Sequence, residues 1–146
     1  MTYADYKNSA GYADPTAYQA IKNMKEPDYY RGDIVFVRDY QKKIGSEQEA
    51  VRPAVIVSND IGNDYAPIVE VVFLTTKKKK PLPTHTTVMC EVPSTALCEQ
   101  ITTISKERIS EYIRTCTSEE MQAIERCMRI SLGITKKRKK KGRVLA

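Results

Sequence analysis

Three short runs rich in β-branched residues constrain the fold more than anything else in the chain. They are Ile34-Val35-Phe36-Val37, Ala54-Val55-Ile56-Val57 and Ile68-Val69-Glu70-Val71-Val72-Phe73-Leu74-Thr75. Each is apolar enough to be buried and is flanked by polar or turn-forming residues, so each reads as a strand: near 33–39, over 54–57 and over 68–75. A long polar loop, 41–50, separates the first two, and the turn-rich Asn59-Asp60-Ile61-Gly62-Asn63 separates the second from the third. Pro81 and Pro83 then interrupt regular structure. Alternation from Thr86 through Val88, Cys90 and Val92 predicts a fourth strand, and 96–104 a fifth.

The period changes after residue 105. Ser105-Lys106-Glu107-Arg108-Ile109 reads as a short helical turn. Thr117 followed by Glu120 has the spacing of a capping box, and Met121, Ile124, Cys127, Met128 and Leu132 recur at helical intervals. A helix over about 118–132, stopped by Gly133, is predicted. Many short strands followed by one real helix imply a mainly β, α+β fold: a small, strongly bent antiparallel sheet or barrel with a C-terminal helix packed on it.

At 146 residues the chain has room for one domain and its tails. Residues 1–30 are Tyr-rich and poor in aliphatics, a peripheral extension with one helix predicted over 15–25, where Asp14-Pro15 suits the N-cap and first turn. Residues 31–135 form the body, and 136–146 a lysine-rich tail without apolar periodicity, expected to be disordered. No apolar run reaches the roughly 18–20 residues that span a bilayer, and the N-terminus lacks the apolar stretch of a secretory signal, so a cytoplasmic protein without a membrane partner is expected.

The formal charge is +6. Seven positive residues lie between 136 and 143, and removing them leaves 6 − 7 = −1, so the body is nearly neutral. Within it, Lys77-Lys78-Lys79-Lys80 is a local positive patch of the kind that draws in polyanions by counterion release. Cys90, Cys98, Cys116 and Cys127 form no CxxC pair, and His85 is the single histidine, which leaves few ligands for a zinc site. Reduced core cysteines are the expectation. There is no GxxxxGK[ST], GxGxxG or HExxH sequence. No metal and no cofactor is expected, and any catalysis has to draw on Arg, Thr, Ser, Glu or the lone His.

Arg52 precedes Pro53 and opens a buried strand, so its backbone is extended and its side chain stands on a rigid element. A guanidinium so placed can clamp a phosphate. Thr75 closes the third predicted strand, just before the lysines. Taken alone, the residues favour plainer readings, an edge salt bridge for Arg52 and β-propensity for Thr75.

From Arg31 to about Ile134 the sequence resembles the MazF/PemK family of toxin endoribonucleases. The resemblance is carried by an ordered set of motifs: Arg31-Gly32-Asp33; Gly45-Ser46-Glu47-Gln48 with Val51-Arg52-Pro53; Asn59-Asp60-Ile61-Gly62-Asn63; Leu74-Thr75-Thr76; Leu82-Pro83-Thr84-His85; Glu99-Gln100-Ile101-Thr102-Thr103-Ile104; and Ile130-Ser131-Leu132-Gly133. It implies a small SH3-like barrel, a homodimer, and metal-independent cutting of single-stranded RNA at short sequences. It also implies a cognate antitoxin whose acidic segment occupies the RNA groove. Carried over residue by residue, it makes Arg52 and Thr75 catalytic. Ser46, Glu47 and Gln48 then flank the RNA, and Lys77, Leu82, Pro83, Thr84, His85, Glu99 and Gln100 contact it. Glu47 and Glu99 are both open as the general base. The N-terminal extension, the basic tail and a short loop between Thr75 and Leu82 depart from the family pattern. Two other readings stay open: a toxin on the same barrel that binds a protein such as gyrase without cutting RNA, and a nucleic-acid-binding regulator acting through its tail.

Overall fold

A computed structural model describes residues 28–39 and 50–134. The predicted 15–25 helix, the loop carrying Ser46, Glu47 and Gln48, and the lysine-rich tail lie outside the described residues. Six strands form: β1 (Asp33–Asp39), β2 (Ala50–Ile56), β3 (Ile68–Thr75), β4 (His85–Cys90), β5 (Val92–Ser105) and β6 (Ile109–Thr115). Two α-helices accompany them among the described residues, α1 (Asp60–Tyr65) and α2 (Ser118–Leu132). The strands join into one sheet in the order β4-β5-β3-β2-β1-β6, with every described pairing antiparallel. The sheet curls into a half-barrel, as the bent-sheet expectation required.

The period-2 pattern of each strand sorts its side chains onto two faces. Ile34, Val55, Val72, Leu74, Val88, Ala96 and Cys98 form a cluster on one face, which α2 covers with Ile124 and Cys127. Val35, Val37, Ala54, Ile56, Val69, Val71, Phe73, Ile104 and Ile109 form the other cluster. All four cysteines are free and belong to or pack against the α2-covered cluster. Burial pushes the thiols of Cys98 and Cys116 up to about 12, which makes them poor nucleophiles at neutral pH.

α2 keeps its predicted bounds. The Thr117 hydroxyl accepts from the Glu120 amide at 3.1 Å, and the Glu120 carboxylate accepts from the Thr117 amide at 2.9 Å. Gly133 ends the helix at φ 70°, a left-handed conformation that glycine adopts without a Cβ penalty.

Three sequence expectations change. The fourth strand ends at Cys90 instead of running to Val92, because Glu91, at φ 60°, reverses the chain so that Cys90 pairs with Val92. The turn-rich 59–63 segment enters helix α1, capped by Asn59, whose Oδ1 accepts from the Gly62 amide at 2.8 Å. β6 was not expected at all. Only Ile109 in it is buried, and it is held mainly by pairing with β1 across two register shifts. The turn before it is a 3₁₀ turn, Lys106–Arg108, entered through Ser105.

Arg31-Gly32-Asp33 is a structural knot. Gly32, at φ 96°, donates its amide to Ile56 O at 2.7 Å and accepts from the Cys116 amide at 2.8 Å. The Asp33 carboxylate accepts from the Tyr30 amide and the Thr115 hydroxyl, each at 2.9 Å. Arg31 pairs with Glu125 of α2 at 3.0 Å. The motif thus ties β1, β2, β6 and α2 together.

Candidate functional site

Phe73 links Arg52 to the strand that carries Thr75: Arg52 Cζ lies over its ring, and Thr75 stands two residues further along β3. Ala54 pairs with Phe73, Val55 with Val72 and Ile56 with Val71. That pairing ends at Ala54, and the period of two puts Arg52 and Thr75 on the face that also carries Ala54 and Phe73. On its other side Arg52 pairs with Val37 of β1. Its guanidinium lies over the Phe73 ring, Cζ 4.2 Å from the centroid. The side chain is half-buried, and no described residue gives it a hydrogen-bonding or ion-pair partner. The edge salt bridge that would have explained Arg52 is therefore absent among the described residues. Thr75 is half-buried, and its Oγ1 accepts from the Lys77 amide at 3.2 Å, which fixes the root of the lysine loop.

An irregularity in β5 widens the site. Val72 pairs with Ile101 and Leu74 with Ala96, so Phe73 alone on β3 stands against Leu97, Cys98, Glu99 and Gln100 on β5. Such bulges re-aim side chains. Here Glu99 reaches His85 at the start of β4: its Oε1 is 2.9 Å from His85 Nε2, and its Oε2 accepts from the Thr84 hydroxyl at 2.9 Å. Burial acts to raise the Glu99 pKa, but bonds from His85, its own amide and Thr84 outweigh it and hold the carboxyl below its ordinary value. With both oxygens engaged and its basicity reduced, Glu99 is a weak proton acceptor. The His85 side chain is 9 % exposed, and its Nδ1 is buried without a hydrogen-bond partner among the described residues.

Two adjoining cavities flank His85. One, of about 340 Å³, is lined by Lys79, Lys80, Leu82, His85, Leu97, Glu99 and Gln100. The other, of about 210 Å³, is lined by Lys79, Pro81, Leu82, His85, Thr86, Thr87 and Thr95. Thr95 pairs with Thr75 on one side and Thr87 on the other, so the second cavity runs toward Thr75. Lys77, Lys78, Lys79 and Lys80 are all exposed, and Lys79 and Lys80 line the rim.

The predicted residues are thus largely brought together. Leu82, His85, Glu99 and Gln100 share a cavity, Thr84 braces Glu99, and Lys77 is anchored on Thr75. Pro83 is exposed beside them and lines neither cavity. Ser46, Glu47 and Gln48 fall outside the described residues. Phe73, Thr87, Thr95 and Leu97 were missed. Phe73 and Leu97 read as core, and a bulge that shifts pairing by several residues leaves no trace in hydrophobic alternation. Chemically, a guanidinium and a hydroxyl on adjacent strands can hold two oxygens of one phosphate, and the groove beside them has cationic, stacking and hydrogen-bonding walls. Among the described residues no three His, Cys, Asp or Glu side chains converge as a metal site, and no helix is long and apolar enough to cross a membrane.

Comparison with known proteins agrees with this geometry. Residues 30–132 match the family model described as a PemK-like, MazF-like toxin of type II toxin-antitoxin system. The chain is 37% identical over 110 residues to Endoribonuclease EndoA of Bacillus subtilis (strain 168), an alignment covering 71% of this chain and 94% of the relative. A solved endoribonuclease from a mycobacterial species is 25% identical, with a TM-score of 0.59 over 76% of this chain and 95% of that one. The MazE-MazF crystal structure from Deinococcus radiodurans (Form-II) superposes at a TM-score of 0.64 with 18% identity, over 73% of this chain and 97% of that one, and speaks to fold alone. On the breadth of the family match and the identity to the Bacillus protein, the chain belongs to the PemK-like, MazF-like toxins of type II toxin–antitoxin systems.

Proposed function

We propose that this protein is a sequence-specific endoribonuclease toxin that cuts single-stranded mRNA without a metal ion. The observation that carries the reading is Arg52 stacked over Phe73, which lies two residues from Thr75 on the same strand, beside a groove lined by His85, Leu82, Glu99 and Gln100. The named activity of the Bacillus relative supports it. The 2′-hydroxyl attacks the adjacent phosphorus, the P–O5′ bond breaks, and the products carry a 2′,3′-cyclic phosphate and a 5′-hydroxyl. Arg52 neutralises charge gathering on the non-bridging oxygens, and Thr75 adds one hydrogen bond to them. Arginine is always charged at neutral pH, so it serves as clamp or acid and is a poor base. Glu99 is spoken for by His85 and Thr84. Bases must be splayed out to be read in the groove, which favours unpaired RNA.

The toxin unit spans 31–135 and forms a homodimer in the cytoplasm, and a cognate antitoxin silences it by laying an acidic segment along the same cationic groove. The test is incubation of the purified protein with a long, defined single-stranded RNA, with and without EDTA, and mapping of the ends. Discrete fragments bearing cyclic phosphate, formed equally in EDTA, are expected. Intact RNA would favour a toxin that only binds its target, and activity lost in EDTA and restored by metal would overturn the mechanism.

A further inference from the structure

We propose that Phe73 is a positioning residue for Arg52: its ring holds the guanidinium flat on the sheet face that also carries Thr75. This rests on the reading of Arg52 as the phosphate clamp. Phe73 is 6 % exposed and fixed among Val35, Val37, Ala54 and Ile56. It has no single partner on β5, because that strand bulges opposite it. Arg52 Cζ lies 4.2 Å from its centroid, well within the distance at which a cation is drawn to the negative face of an aromatic ring.

The physical advantage lies in which surfaces are used. A carboxylate partner would fix an arginine by occupying two of its N–H donors. A ring under the guanidinium holds its flat face and leaves the donors on its edge for a ligand. Among the described residues Arg52 has this ring contact and no acceptor. The orientation is therefore set before any substrate arrives, which is what transition-state charge stabilisation requires. Phe73 touches no reacting atom and acts through Arg52.

The experiment replaces Phe73 with ring-fluorinated phenylalanines, which keep the shape and progressively drain the negative face, alongside Phe73→Tyr and Phe73→Leu. Full single-turnover and steady-state kinetics on the mapped RNA are measured with Tm. Phe73→Leu also tests the stack directly, through the ring-current shift of the Arg52 side-chain protons. Expected are a stepwise fall in kcat reaching about tenfold, little change in KM, an unchanged Tm across the fluorinated series, and activity retained in Phe73→Tyr. The upfield shift of Arg52 disappears in Phe73→Leu. A kcat that stays flat across the fluorinated series, or an Arg52 resonance indifferent to Phe73→Leu, overturns the proposal. If the native protein cuts no RNA, the nuclease reading falls and the positioning role with it. If it cuts and the series is flat, only the positioning role falls.

Discussion

Arg114 and Glu120 form a 2.7 Å ion pair that grips the backbone of Met89 from both sides. The Met89 amide donates to Glu120 Oε2 at 2.9 Å, and the Met89 carbonyl accepts from Arg114 Nη1 at 2.6 Å. Met89 is on β4 and Arg114 on β6, the two outer strands of the sheet. The pair therefore ties the free edges of the half-barrel to each other and to the first turn of α2.

This clamp has a pH signature. The hydrogen bond from Arg114, aided by amides of Thr117 and Met89 against the opposing effect of burial, lowers the Glu120 pKa from 4.5 to about 2. A depressed carboxyl stabilises the fold fully above its unfolded value and loses that contribution as pH falls through the folded one. The contribution is lost as pH falls from about 4.5 towards 2. Glu120→Gln should lower Tm at pH 7 and flatten the acid limb of the Tm–pH curve. Parallel curves for the two proteins over that window would contradict the assignment.

Arg52→Ala should reduce RNA cleavage about a hundred- to a thousandfold, the cost of losing one well-placed donor to developing charge. Arg52→Lys should recover little, because an ammonium lacks the planar fork and the stacking face. Thermal melts should place both variants near the native protein, since the guanidinium has only a ring contact among the described residues. Near-native cutting by folded Arg52→Ala would remove this residue from the mechanism.

Thr75→Val keeps the β-branched shape and deletes the hydroxyl. A single neutral hydrogen bond is worth about 0.5–1.5 kcal/mol, so a fall in kcat of about tenfold or less is expected. Thr75→Ser, which retains the oxygen that accepts from the Lys77 amide, should sit between Val and the native protein. Equal activity in Val and native proteins would leave Thr75 as a loop anchor alone.

Replacing Lys77, Lys78, Lys79 and Lys80 together by Ser should weaken RNA binding in a salt-dependent way. Each phosphate contact on a single strand contributes a slope of about −0.7 in log K against log salt, so the slope should flatten by up to about 3. Fluorescence anisotropy across a salt series reads this directly. An unchanged slope would show that the exposed lysines do not track the backbone.

Much of the fold was legible because its signals are local. The strands around Ile34 to Val37 and over 68–75 announce themselves by β-branched burial, and α2 by the Thr117–Glu120 box, its apolar stripe and Gly133. Strand β6 was not legible, since its residues Glu111 and Tyr112 are exposed and its pairing with β1 is recorded nowhere in its own composition. The Asn59 cap and the Glu91 reversal are single-residue backbone events that a periodicity reading passes over.

The sequence by itself determined which residue types could do chemistry: an arginine held extended by the following proline, a threonine at a strand end, and lysines just beyond it. Only the tertiary structure decided that Arg52 and Thr75 share one sheet face, that Phe73 lies beneath the guanidinium, and that Glu99 is taken up by His85 and Thr84. The reason is register. Which residues oppose each other across a sheet depends on pairing between distant segments, and the bulge in β5 moves that pairing by several positions without altering any local pattern.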